Sequence, residues 1–241
     1  MFRVMTLEKR KSGISLTDFI DYHERQHVPL CLRYLGMAVQ CRRRYLHPMP
    51  YPLDGRVAEP DYDVLTEYRF ADQQRYVQGM AELRSLAANR ALGEGGDLFL
   101  DRGSSRQALV TECASALPAR EGNSDPGLTC GALLRRRADL SPQDFRDYYE
   151  TRHARLGERH ITALSGYRRL YLHPAEGAAD LAYDVFTELQ LADETALARA
   201  GEQFSDPAVK QAIAEDEAHV GDPANRCLAM IEERATMLAG E

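Results

Sequence analysis

The sequence contains no Cys-x-x-Cys pair. Its five cysteines (Cys31, Cys41, Cys113, Cys130, Cys227) are odd in number and scattered, which argues against a disulfide framework or a structural zinc site and suits a reduced compartment. It also lacks an apolar run of membrane length, and the opening stretch MFRVMTLEKRKSG has no long apolar core followed by a small-residue cleavage site. A soluble cytoplasmic chain with no membrane partner is expected. Positive charge is not in excess: 30 Lys and Arg stand against 37 Asp and Glu, a formal charge of -7. That excludes a broad nucleic-acid footprint, and the local runs Arg42–Arg44 and Arg135–Arg137 are expected to face an interface or a ligand rather than DNA.

What is present is one module written twice. The stretch GISLTDFIDYHERQHVPL, Gly13 to Leu30, returns in degenerate form as DLSPQDFRDYYETRHARL, Asp139 to Leu156. Phe19, Tyr22 and His27 match Phe145, Tyr148 and His153, each 126 positions apart. The same offset carries RRRYLHP (Arg42 to Pro48) onto RRLYLHP (Arg168 to Pro174). It then falls to 121, where YDVLTE (Tyr62 to Glu67) meets YDVFTE (Tyr183 to Glu188), because the first copy has a longer loop around Tyr51 to Glu59. The boundaries predicted are a first repeat over residues 1–114, a Pro-, Gly- and Ser-containing linker over 115–127, and a second repeat over 128–237.

Each copy reads as strand, helix, strand, strand, helix, strand. Phe2 to Leu7 and Leu128 to Leu134 alternate as opening strands. Ser15 with Asp18, and Ser141 with Pro142 and Asp144, write the same helix start. From that cap Phe19, Ile20, His23 and His27 fall on the core-facing side, as do Phe145, Tyr149 and His153. On the second strand Arg43 and Tyr45 (Arg169 and Tyr171) share one face, and Arg42 and Leu46 (Arg168 and Leu172) the other, so an arginine must point inward or be covered. On the third strand, Tyr62 to Phe70, Tyr62, Val64, Thr66, Tyr68 and Phe70 share one face, and Asp63, Leu65, Glu67 and Arg69 the other. Second helices follow Asp72 and Asp193, the latter broken at Asp206-Pro207, and closing strands are expected over Gln107 to Glu112 and Cys227 to Glu232. The fold class predicted is α+β: two ferredoxin-like βαββαβ repeats packed sheet to sheet as an intrachain dimeric α+β barrel. Such pairing permits a monomer, while exposed edges or helices could still support a homodimer.

These residues resemble the EthD family of the dimeric α+β barrel superfamily. The resemblance is carried by the basic turn and G-I-S-x-x-x-F (Arg10 to Phe19), H-x-P (His27, Pro29), R-R-x-Y, Y-D-V-x-T-E and the acidic pair Asp216-Glu217, and it spans both copies. The first copy keeps H-x-P but has Gly95-Gly96 in place of the acidic pair; the second keeps the pair but has Arg155 in place of the proline. The resemblance implies small-molecule chemistry without a metal or organic cofactor, namely decarboxylation, dehydration, cyclisation or isomerisation of aromatic, often polyketide-derived, compounds.

The candidate catalytic residues are His27 and its counterpart His153, which in a dry pocket could move a proton near neutral pH or could simply fix the helix to a neighbouring strand. Tyr45 and Tyr171 could polarise a carbonyl or stack on a ring, or serve as core. Candidate substrate-binding residues are Arg43 and Arg169, which could clamp an anionic end or pair with a strand carboxylate such as Glu67 or Glu188. His47 and His173 lie at a strand end, Phe19, Val64 and Phe70 would wall the pocket, and Glu67, Glu188, Asp216 and Glu217 could orient a histidine. His23 and His27 stand at zinc-pair spacing, yet Tyr149 replaces His23 in the second copy and no H-E-x-x-H is present, so no metal site is expected. The leading expectation is a cofactor-free lyase, cyclase or isomerase on an aromatic or polyketide-like acid. The alternatives are a cofactor-free oxygenase of the same barrel and a non-catalytic small-molecule-binding or accessory protein.

Overall fold

In the computed structural model, which describes residues 1–117, 127–175 and 180–238, strand alternation decides the architecture. The first half runs β1 (Phe2–Arg10), α1 (Leu16–Tyr22), a five-residue π-helical turn (His23–His27), α2 (Val28–Tyr34), β2 (Ala38–Met49), β3 (Val64–Phe70), α3 (Gln73–Leu83), α4 (Leu86–Gly96) and β4 (Leu100–Ala114). The second half repeats it with β5 (Leu128–Arg136), α5 (Pro142–Tyr148), a second π-helical turn (Tyr149–His153), α6 (Ala154–His160), β6 (Leu164–Pro174), β7 (Val185–Leu191), α7 (Glu194–Ser205), α8 (Pro207–Val220) and β8 (Gly221–Met237). The helix starts are those read from the sequence: Ser15 and Ser141 each accept the backbone N–H three residues on, at 3.1 Å. Asp72 and Asp193 cap α3 and α7 in the same way. Most of the predicted linker lies outside the described residues. Its first residue, Ser115, is tied down, bonding Arg169 at 2.6 Å and also the carboxylate of Glu158.

The eight strands form one closed antiparallel barrel in the order β1-β3-β2-β8-β5-β7-β6-β4. The halves therefore do not simply lie sheet against sheet, as the pattern suggested. They join edge to edge, β2 to β8 and β4 to β6. A four-stranded sheet leaves two rows of unpaired backbone groups, and closure removes both edges. This is also why β4 and β8 are far longer than the closing strands predicted. β4 pairs β1 from Leu109 to Leu100 and β6 from Ala108 to Ala114, so one strand serves two partners.

Inward-facing side chains separate by chemistry. Met5, Leu7, Leu46, Leu65, Leu133 and Phe186 belong to an apolar cluster. Beside it Arg44, fully buried, donates to Glu67 at 2.9 Å and to Glu188. Arg69 adds a bond to Glu67 at 2.8 Å, and Arg168 bonds both Glu188 (2.7 Å) and Glu112 (2.9 Å). Glu67 and Glu188 were expected to touch substrate or orient a histidine. The period of two turns them into the barrel instead, where arginines occupy them. Tyr62 and Tyr183 also differ from expectation: they precede β3 and β7 and pack with the inward apolar cluster. The helices cover the outward faces, so Val64, Tyr68 and Phe70 lie beneath the first helical layer, and Cys130, Ala132 and Leu134 beneath the second.

Candidate functional site

The second helical layer encloses a cavity of about 320 Å³. Its wall is mainly apolar, including Leu134, Ile161, Leu189 and Leu228, with His153, Tyr149 and Glu217 among the polar groups facing it. The roof comes from the other half: Met49, Pro50, Tyr51, Pro52 and Leu53 line it. That is the longer first-copy loop, held by a tight turn in which Gly55, at φ 72°, donates its N–H to the Tyr51 carbonyl at 2.7 Å. Arg226 locks the loop down by bonding Asp54 at 3.0 Å and Glu217, with its guanidinium 4.3 Å from the Tyr51 ring centre. Tyr51 in turn donates its hydroxyl to Glu217 at 2.5 Å.

His153 is placed by two helices. The π-helical turn that ends at it lies between α5 and α6, and α8 buries Ile213, Glu217 and Val220 at helical spacing. This brings Asp216 to His153, whose Nδ1 lies 2.7 Å from the carboxylate; Tyr148 donates to the other carboxylate oxygen at 3.1 Å. The carboxylate accepts the Nδ1 proton and leaves Nε2 as the basic nitrogen of a side chain that lines the cavity. Tyr149, at the base of the pair, shares a hydrogen bond of 3.1 Å with Thr187, and burial pushes its phenol up to about 12. It stays neutral.

The first half has a different arrangement at the same place. Nε2 of His23 lies 3.4 Å, and Nε2 of His27 3.6 Å, from the two oxygens of Glu8, and Cys31 Sγ lies 3.2 Å from His27 Nε2. Burial opposes ionisation of Glu8, but His23 and His27 outweigh it and hold the carboxyl well below its usual range. Burial likewise opposes charge on His27, and its contacts with Cys31 and Glu8 carry it up to about 10. Glu8, His27 and Cys31 open onto a smaller cavity of about 160 Å³.

The other expected site residues are engaged by neighbouring side chains. Arg43 grips Glu24 at 2.8 and 3.0 Å, and Arg169 grips Glu150 at 3.0 and 2.5 Å. Tyr45 and Tyr171 donate to the same carboxylates at 2.5 and 2.7 Å, and burial together with that carboxylate pushes both phenols up. None of these four lines either cavity. The partners are helix carboxylates, not the strand carboxylates considered above. His47 pairs with Glu232 at 3.2 Å and His173 with Thr111 at 3.1 Å. Phe19 packs beneath the first helical layer with Val64 and Phe99, against His23. Glu8, Cys31, Glu24, Glu150, Tyr51 and Arg226 were not singled out. Glu24 and Glu150 left a legible signal, since they recur at the same 126-residue offset as the arginines they hold. The other four are not paired by such a recurrence.

The EthD domain family matches residues 11–103 and 137–224. The structure is similar to that of an anthrone oxidase-like protein, with a TM-score of 0.59 and 10% sequence identity over 97% of this chain and 92% of that one. It is similar more distantly to chlorite dismutase from Candidatus Nitrospira defluvii in complex with imidazole, with a TM-score of 0.43 and 9% identity over 96% and 90% of the two chains. No curated protein matches the sequence. At such identities the likeness is one of fold. No helix among the described residues is long and apolar enough to cross a membrane.

Proposed function

Because the chain belongs to the EthD domain family in both of its halves, within the dimeric α+β barrel superfamily, we propose that its second half is a cofactor-independent acid–base enzyme acting on an aromatic, polyketide-like compound. The observation that carries this reading is the His153–Asp216 pair, 2.7 Å apart, on the wall of an apolar cavity of about 320 Å³. That volume suits a small polycyclic ligand. Nε2 of His153 takes a proton from an acidic C–H or phenolic O–H, and the electron pair passes into the ring carbonyl as an enolate. Asp216 stabilises the imidazolium that results. The proton then returns to a different carbon, which isomerises the compound, or the enolate carbon attacks a second carbonyl of the same molecule and the proton goes to the alkoxide oxygen so formed, which closes a ring; a hydroxyl protonated in the same way leaves as water. The apolar walls and the Tyr51 roof keep bulk water from competing for that proton.

No arginine or lysine lines the cavity among the described residues. Arg43 and Arg169, the cations expected to clamp an acid, are held by Glu24 and Glu150. This favours a neutral phenolic ketone over a carboxylic acid, because an unpaired carboxylate in an apolar cavity is costly. The test is a thermal-shift and mass-spectrometric screen of hydroxylated aromatic ketones, anthrones among them, and of the matching acids, on the native chain, His153→Gln and Asp216→Asn. A ketone that stabilises all three proteins but is converted only where His153 is present supports the reading. Conversion that survives His153→Gln overturns it, and stabilisation without product across the series marks a binding protein. Oxygen uptake in step with product would move the enzyme to the oxygenase class, with the substrate enolate as the reductant of dioxygen.

A further inference from the structure

We propose that the first half binds one divalent transition-metal ion of the Zn²⁺ and Co²⁺ kind, through Nε2 of His23, Nε2 of His27 and the carboxylate of Glu8, with a fourth position left for water or another small ligand. The site is independent of the catalytic reading of the second half. Spacing is the first argument. A charge-assisted hydrogen bond between imidazole and carboxylate closes to about 2.7–2.9 Å, as His153 and Asp216 do at 2.7 Å. The Glu8 contacts stand at 3.4 and 3.6 Å. Those are poor hydrogen bonds but good edges of a coordination tetrahedron: with bonds of ~2.0–2.1 Å to nitrogen and oxygen, two donors on one ion stand about 3.4 Å apart. The ligating atoms of Glu8, His23 and His27 all lie within 4.8 Å of one another.

The second argument is the direction of the lone pairs. Tyr45 gives its hydroxyl proton to Glu24 at 2.5 Å, so its oxygen can only accept from Nδ1 of His23, 2.7 Å away. Nε2 is therefore the nitrogen turned to Glu8, where a metal ion can take the bridging place of a proton. The relay from His23 through Tyr45 to Glu24, itself gripped by Arg43, is the kind of support that fixes a ligating imidazole. Two nitrogens and one oxygen suit a borderline-soft ion. The adjoining cavity of about 160 Å³ touches Glu8, His27 and Cys31, which gives the ion a path in.

The third argument comes from the duplication. At the register of Glu8 and His23 the second half has Leu134 and Tyr149, and only His153 remains of the set. The Tyr45–Glu24–Arg43 support persists there as Tyr171–Glu150–Arg169, so the fold alone does not call for the three donors.

The test is titration of chelator-treated, reduced protein with Co²⁺, read by absorption, and with Zn²⁺ by calorimetry. The native chain is expected to saturate at one equivalent, with the strong ligand-field bands of tetrahedral Co²⁺. Tyr45→Phe, which deletes the relay, should weaken binding about 10- to 100-fold, and Glu8→Gln or His27→Gln should weaken it more. Circular dichroism checks that each variant is folded, and the native Co²⁺ spectrum stands by itself if one is not. No saturable tetrahedral spectrum in the native chain, or affinity unchanged in folded Glu8→Gln and His27→Gln, overturns the site.

Discussion

Replacing Arg44 by leucine tests the buried ionic network, and the second copy supplies the precedent, since Leu170 stands at the matching position. Arg44 is fully buried and holds two carboxylates that are themselves buried, Glu67 and Glu188. Burial pushes the Glu67 carboxyl up, but the charges of Arg44 and Arg69 outweigh it and hold the group at about 2, against an ordinary value of 4.5. A carboxyl so displaced contributes roughly 3 kcal/mol to folding at neutral pH. The sign follows from a depressed value: the contribution is whole above about pH 4.5 and is lost as pH falls toward about 2. Arg44→Leu removes the largest stabilising charge, leaves Glu188 to Arg168 alone, and gains some apolar contact with Phe186. The net cost expected at pH 7 is about 3 kcal/mol, within the range for breaking one side of a buried ion pair. For a chain of this size that lowers Tm by roughly 6–12 °C. Urea unfolding of both proteins at pH 7, 5 and 3.5 reads the cost directly. It should shrink as pH falls, because Glu67 becomes easier to protonate in the variant. A cost below about 1 kcal/mol at pH 7, or one that does not change with pH, would refute the assignment of stability to this network.

Three other substitutions probe separate parts of the structure. A β-carbon at Gly131 would sit 2.6 Å from the Phe186 ring and 2.7 Å from Ile231, so Gly131→Ala should cost about 1–3 kcal/mol by overpacking the barrel, with chemical denaturation as the measure. Gly157 lines the second-half cavity, and a β-carbon there meets Tyr167 at an ordinary 3.6 Å. Gly157→Leu should therefore fold with a native-like Tm while abolishing any ligand-induced thermal shift; a shift that persists would place the ligand elsewhere. Glu24→Gln and Glu150→Gln each remove a charge gripped by an arginine and a tyrosine in matching geometry. Each should cost about 1–3 kcal/mol, and the two costs should agree within roughly 1 kcal/mol in urea unfolding.

The duplication made most of the scaffold legible. Two copies with the same cap, the same arginine–tyrosine strand and the same Y-D-V-x-T-E announce two βαββαβ units, and alternation along Arg42 to Leu46 separates what faces the helices from what faces the barrel. The partners were harder to read. Alternation puts Glu67 on the face opposite Val64 without saying which arginine meets it, and Arg44 has no counterpart in the second copy to mark it. His153 was visible as a repeated histidine, but Asp216 reaches it from a helix far along the chain, and Tyr51 and Glu217 meet only because the first half's longer loop crosses to the second. His23 and His27 had the spacing of a ligand pair; they looked unaccompanied because Glu8 lies on another element. Local periodicity carries faces. It does not carry contacts between elements brought together by barrel closure.

Closure also explains how the two halves could part so far in chemistry while agreeing in backbone. The ionic and apolar clusters inside the barrel are shared, with Arg44 from one half binding Glu188 of the other, so a change there is felt by both. The helical layers lie on outward faces and contact chiefly their own strands. A substitution such as leucine for glutamate between positions 8 and 134, or tyrosine for histidine between 23 and 149, alters one layer and leaves the barrel register intact. Among the described residues, the loop that runs from β2 over the second cavity couples the two layers. Without Tyr51 and Leu53 the cavity would open to water on the side nearest Glu217. The pocket in the second half is thus completed by the first.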